Sequence, residues 1–144
     1  MKTYILTISE KFPSAHNRAG DKTLFEEKIK QKSKIHTIRE NYDFWKKRID
    51  EIQAGRACLS IRKWSGRPYR SKQIEIFNFT DVGIEKLEWD VLGWFVDSYD
   101  NDLTTKDLAK NDGLSYNDFK SWFKKYPEKS MAIIHFTDFR YNKL

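Results

Sequence analysis

The sequence predicts an α+β fold in which helices flank a small mixed β-barrel. Three observations carry that expectation. The 144 residues suit one domain, taken as 1–144, and can bury roughly two-thirds of the unfolded surface without a metal or disulfide. Alternating and helically periodic stretches follow one another in the order β, α, β, α, β, β, β, α, α, β. Two adjacent alternating stretches, 57–64 and 73–80, are joined by the turn SGRPYR and should pair antiparallel.

Residues 3–8 (TYILTI) read as the first strand, and 9–22, with Pro13 and Gly20, as a loop. Thr23 and Glu26 have capping-box spacing and open a helix over 24–32, with Phe25 and Ile29 as its apolar pair. KIHTIR, 34–39, alternates and is rich in β-branched residues, so it reads as a short strand. Asn41 caps a helix over 42–54 whose stripe is Tyr42, Trp45, Ile49 and Ile52, and Gly55 stops it. In 57–64, Ala57, Leu59 and Ile61 share one face. Residues 82–89 give a further short strand. Thr104 with Asp107 opens a helix that stops near Gly113, and Ser115 with Asp118 opens one that carries Phe119, Trp122 and Phe123 and ends before Pro127. Residues 131–139 close the chain as a strand.

The net charge of +6 is unevenly spread. Residues 28–72 hold 14 basic and 4 acidic residues, a balance of +10, whereas 73–144 balance to −4 and 1–27 to zero. A basic segment gathered on one face attracts phosphates and other anions. The aromatic content of 15% excludes a disordered, tail-like chain. One cysteine, Cys58, excludes an internal disulfide and a multi-cysteine zinc site. No apolar run is long enough to span a membrane, and MKTYILTISE is too briefly apolar for a signal peptide, so the expected setting is a reducing cytoplasm.

Two constellations invite a chemical reading. Arg62, Lys63, Trp64, Arg67, Tyr69, Arg70 and Lys72 interleave cations with aromatics around a turn. That pattern suits a nucleic-acid strand, with the cations on phosphates and Trp64 or Tyr69 stacked on a base. The histidines His16, His36 and His135 lack metal-ligand spacing, so no metal and no cofactor is expected. His135 alternates with apolar neighbours and reads as a satisfied interior residue. His36 should face away from Thr37, and His16, in the first loop, could approach a ligand.

LFEEKIKQKSKIHTIRE, 24–40, resembles the N-terminal signature of ASCH domains in the PUA-like superfamily, in particular the small bacterial N4-acetylcytidine amidohydrolases. The shared pattern is a helix followed by K-x-x-T-x-R, here Lys34, Thr37 and Arg39. The likeness continues through Ala54-Gly55 to Lys63-Trp64, through QIEIFNFTDVGIEKL, DGLSYNDFK and IIHFTDF, and so covers about 24–139 in order. The chain departs from the family in its longer 42–54 helix, in the loop holding Pro13, His16 and Gly20, and in carrying Asp112 where those enzymes have a glutamate.

The resemblance implies a PUA-like barrel and assigns roles. Thr37 is the nucleophile, Lys34 the amine that takes its proton, Arg39 a ligand contact, and Asp112 a carboxylate that protonates the leaving nitrogen or orients the substrate. On a regular strand, positions 34 and 37 face opposite sides, so they converge only if Lys34 lies in the turn before the strand. The leading expectation is a domain that binds RNA or a modified nucleoside in a basic cleft formed by this pocket and the 62–72 hairpin. The alternatives are an amidohydrolase acting on N4-acetylcytidine or a related acylated nucleoside, and a protein-interaction domain using the apolar, acidic WDVLGWFVDSY, 89–99.

Overall fold

The computed structural model describes residues 1–100 and 102–143. Its elements are β1 (Lys2–Thr7), α1 (Phe25–Lys30), β2 (His36–Arg39), α2 (Tyr42–Gln53), β3 (Ala57–Trp64), β4 (Gln73–Phe79), β5 (Gly83–Asp90), β6 (Gly93–Val96), α3 (Thr105–Asn111), α4 (Tyr116–Trp122) and β7 (Met131–His135). The fold is α+β, and its strands form two sheets, ordered β1-β3-β4 and β2-β7-β5-β6. Among the described residues no helix is long and apolar enough to cross a membrane.

β3 and β4 pair antiparallel, with a bulge at Ile61/Arg62. β1 joins the other edge of β3 in parallel, Lys2 opposite Ala57. A parallel pair needs a long crossover, and here α1, β2 and α2 supply it. In the second sheet β7 lies between β2 and β5, and all five of its residues are buried. Ile133 and Ile134 pack there with Leu6, Leu59, Ile61 and Leu87, while α2 adds Ile49 and Ile52. Asn41 starts α2 by accepting the Phe44 N–H at 3.3 Å.

The helix starts differ instructively. At α3 both halves of the Thr104–Asp107 capping box form. At α4 the Ser115 hydroxyl accepts the Asp118 N–H at 3.1 Å, but the Asp118 carboxylate takes Arg18 at 2.7 Å. The box expected at Thr23 does not form. Leu24 is the cap residue, Thr23 donates its hydroxyl to the Ser9 carbonyl at 2.6 Å, and Glu26 pairs with Lys63 at 2.9 Å. A hydroxyl and a carboxylate at the right spacing were thus drawn to tertiary partners.

Two boundaries also shift. β2 begins only at His36, because Lys34 makes an isolated bridge with Asp112. β7 ends at His135, because Thr137 turns the chain by accepting the Phe139 N–H at 3.3 Å. The stretch 89–99, read as a surface for a protein partner, contains the turn into β6. Trp94 and Val96 are core, Trp94 stacks on Trp89 at 4.6 Å, and Val91 and Leu92 stand exposed at the turn.

Candidate functional site

The site forms where the end of α3 meets the start of β2. Gly113 turns the chain out of α3 with φ of +76°, and a Cβ there would lie 2.8 Å from the Lys34 Cβ. Glycine therefore lets the two backbones close up. The Ile35 N–H reaches the Asn111 carbonyl at 2.9 Å, and Lys34 stands opposite Asp112. The Lys34 Nζ donates to the Asp112 carbonyl at 2.8 Å and to its carboxylate Oδ1 at 2.9 Å, and lies 4.3 Å from the Phe25 ring centroid. Behind Asp112, His36 Nδ1 is 3.3 Å from the same Oδ1, and its Nε2 is 2.7 Å from the Tyr141 hydroxyl.

Lys34 and Asp112 are only 2% and 5% exposed, so burial dominates their electrostatics. Burial pulls the Lys34 amine below lysine's ordinary range, and Asp112 only partly opposes it. Burial pushes the Asp112 carboxyl up, but the Lys34 charge and the His36 contact outweigh it and hold the group below its ordinary value. A lowered amine pressed on a carboxylate inside a cavity is an arrangement typical of functional sites.

Lys34, Thr37, Arg39, Asp112 and His16 all line one cavity of about 890 Å³, walled also by Phe25, Ser121, Trp122 and the 123–129 segment. That volume lies in the range of roughly 300–1,000 Å³ common for small-molecule sites. Lys34 reaches the cavity from before β2, while Thr37 and Arg39 reach it from the strand itself. Arg39 donates Nη2 to the Thr7 carbonyl at 2.7 Å, while its Nε is buried without a hydrogen-bond partner among the described residues. His16 is held by a 2.8 Å contact of Nε2 with the Asp118 carbonyl, by the Arg18 N–H on Nδ1, and by stacking on Phe12.

The basic hairpin lies elsewhere. None of Arg62, Lys63, Trp64, Arg67, Tyr69 or Arg70 lines the cavity, so the single cleft expected from the charge excess is two separate surfaces. Arg62 Nε donates to the Ser60 hydroxyl, and Lys63 is neutralised by Glu10 and Glu26. Arg67, Tyr69 and Arg70 are exposed, with the Tyr69 and Trp64 rings 5.1 Å apart. His135 is only half satisfied: Nε2 contacts Glu85 at 2.7 Å and Nδ1 is buried without a partner.

Sequence reasoning missed Lys28, whose Nζ donates to the Gly113 carbonyl at 2.8 Å, and the pair His36 and Tyr141. Lys28 carried a signal, since it lies in the helical stretch just before Lys34. Tyr141 carried none, because only the fold brings the chain end behind β2. Compared with protein-family models, curated proteins and solved structures, the chain matches none.

Proposed function

We propose that the cavity binds an acylated nucleoside such as N4-acetylcytidine and that the chain hydrolyses its amide, the chemistry that the ASCH resemblance implies. In the same reading the two sheets are the halves of a PUA-like barrel, working in a reducing cytoplasm. One observation carries the proposal: a buried lysine amine, lowered by desolvation and seated on Asp112, shares a nucleoside-sized cavity with Thr37. The Lys34 amine takes the Thr37 proton, and the Thr37 Oγ1 attacks the acyl carbon. Arg39 supplies positive charge for the developing oxyanion. Asp112, held as a carboxylate, is an acceptor only, so it orients Lys34, and the Lys34 ammonium returns the proton to the leaving nitrogen as the C–N bond breaks. Water, giving its proton to Lys34, then attacks the Thr37 ester and releases the carboxylic acid as Thr37 Oγ1 takes the proton back.

The purified protein is expected to release cytidine from N4-acetylcytidine, and Lys34→Ala and Thr37→Ala to abolish that release. Absence of turnover across a panel of acylated nucleosides overturns the proposal. RNA binding is a second reading, and it rests on the exposed Arg67, Tyr69 and Arg70, with Tyr69 87% accessible beside Trp64. Stacking platforms flanked by arginines suit single-stranded RNA.

A further inference from the structure

We infer that Tyr141, acting through His36, is a positioning residue for the Asp112–Lys34 pair, so that the C-terminal segment completes the site from behind. The inference rests on the proposed hydrolase for its consequence in catalysis, and on hydrogen-bond geometry alone for its consequence in His36.

The directions of the bonds follow from the groups present. Asn111 Nδ2 donates to the Tyr141 hydroxyl oxygen at 2.9 Å. Asp112 as a carboxylate only accepts, so His36 Nδ1, 3.3 Å from Oδ1, carries a proton. The Tyr141 hydroxyl oxygen already accepts from Asn111, and His36 Nε2, 2.7 Å away, is the acceptor that stands in reach of its own proton, so the Tyr141 O–H donates to Nε2. Burial pushes the Tyr141 phenol up, which keeps its proton available. The chain therefore runs one way, from Asn111 through Tyr141 and His36 to Asp112, where Lys34 supplies the opposing donor. Without the Tyr141 hydroxyl, only the longer 3.3 Å contact with Asp112 holds the imidazole proton on Nδ1, and the shorter 2.7 Å bond that opposes a proton on Nε2 is gone.

Tyr141 is itself held in place. Glu85 Oε1 accepts the Tyr141 N–H at 2.8 Å, and Oε2 accepts the Asn142 N–H at 2.9 Å. The Tyr141 ring packs edge-on against Phe139 at 4.9 Å. The titratable and charged groups facing the network are Lys34, Lys28 and Arg39 around Asp112, His135 with its partner Glu85 beside His36 and Tyr141, Asp107 of α3 toward Tyr141, and Arg140 toward His135.

The test is Tyr141→Phe, which removes the hydroxyl and keeps the ring. Nitrogen-15 NMR of the histidines in the wild-type protein is expected to show the His36 proton on Nδ1. In Tyr141→Phe it should redistribute toward Nε2. With N4-acetylcytidine, the variant is expected to lose on the order of five- to tenfold in turnover, the worth of one hydrogen bond. The acid limb of its pH profile, which tracks loss of the Lys34 proton, should move to higher pH, because an Asp112 carboxylate without its fixed donor holds the Lys34 ammonium more strongly. In a His36→Asn background, where the amide still donates to Asp112, Tyr141→Phe should add no further loss. A wild-type proton on Nε2, a tautomer unchanged by Tyr141→Phe, an unmoved acid limb, or an equal loss in the His36→Asn background each overturns the inference. If wild type turns over no acylated nucleoside, the hydrolase has failed, and the tautomer measurement still decides this inference.

Discussion

Lys34 shows how one residue can be singled out in a sequence while its surroundings stay unreadable. The resemblance to the ASCH K-x-x-T-x-R pattern marked it, together with Thr37 and Arg39. Its partner was harder to read, because Asp112 before Gly113 also looks like an ordinary helix stop. Both descriptions apply, since the same turn that ends α3 puts the carboxylate on Lys34. The pair is buried, so its halves depend on each other more than a surface pair would. At a pH where Lys34 is protonated, Asp112→Asn leaves a buried ammonium without its counter-charge and should cost about 3–5 kcal/mol in urea unfolding. Lys34→Met with Asp112→Asn should recover most of that loss, because no uncompensated charge remains. Equal destabilisation of single and double variants would show that the pair is not energetically coupled. Gly113→Ala tests the same closeness from the backbone side, adding a Cβ 2.8 Å from the Lys34 Cβ at a left-handed φ. It should cost more than the roughly 1 kcal/mol of an unstrained glycine position.

At the scale of elements, periodicity and capping chemistry located the helices and most strands, because those signals are local. They failed where tertiary partners competed for the same groups. Thr23 and Glu26 repeat the spacing of Thr104 and Asp107, yet only the second pair caps a helix, since the first pair's side chains reach Ser9 and Lys63. The C-terminal segment was misread for a related reason. Its turn depends on Thr137, and its docking depends on Glu85, 56 residues upstream of Tyr141. That docking has a pH signature. Burial raises the Glu85 carboxyl, but His135 and the Asn142 and Tyr141 N–H groups outweigh it, and the folded value lies below the ordinary one. A depressed carboxylate contributes stability that is full above the unfolded value and is lost as pH falls through the folded value. His135 acts in the same direction at higher pH. Burial lowers its folded value, so the unfolded chain takes up a proton first as pH drops through the histidine range. The hydrogen-exchange protection factors of the Tyr141 and Asn142 amides should therefore fall on acidification, and Glu85→Gln should remove the part lost in the carboxylate range. Protection that is flat from neutral to acid pH would refute the clamp.

At the scale of the molecule, the parallel pairing of β1 with β3 and the position of β6 were not legible, because both depend on contacts between distant segments and leave no local period. The charge excess of 28–72 is the clearest case. As a linear balance of +10 it suggested one anion-attracting cleft. The fold divides it. Lys34 and Arg39 face the cavity, Lys46 and Arg56 pair with Asp50 and Glu51, Lys63 pairs with Glu10 and Glu26, and Arg67 and Arg70 are left on the exposed hairpin. Two surfaces that do not share residues should be separable by mutation. If the hairpin holds single-stranded RNA, its affinity should fall with salt, and each phosphate contact removed should flatten the logarithmic slope by about 0.7. Arg67→Ala with Arg70→Ala should thus lower the slope by about 1.4 while leaving N4-acetylcytidine turnover unchanged. Lys34→Met should do the reverse, abolishing turnover with the salt slope intact. Fluorescence anisotropy against salt for RNA, beside cytidine release for the nucleoside, gives both readings on the same variants. A hairpin variant that loses turnover in proportion to RNA affinity would mean that the two surfaces act as one cleft after all, joined by the ligand and not by the fold.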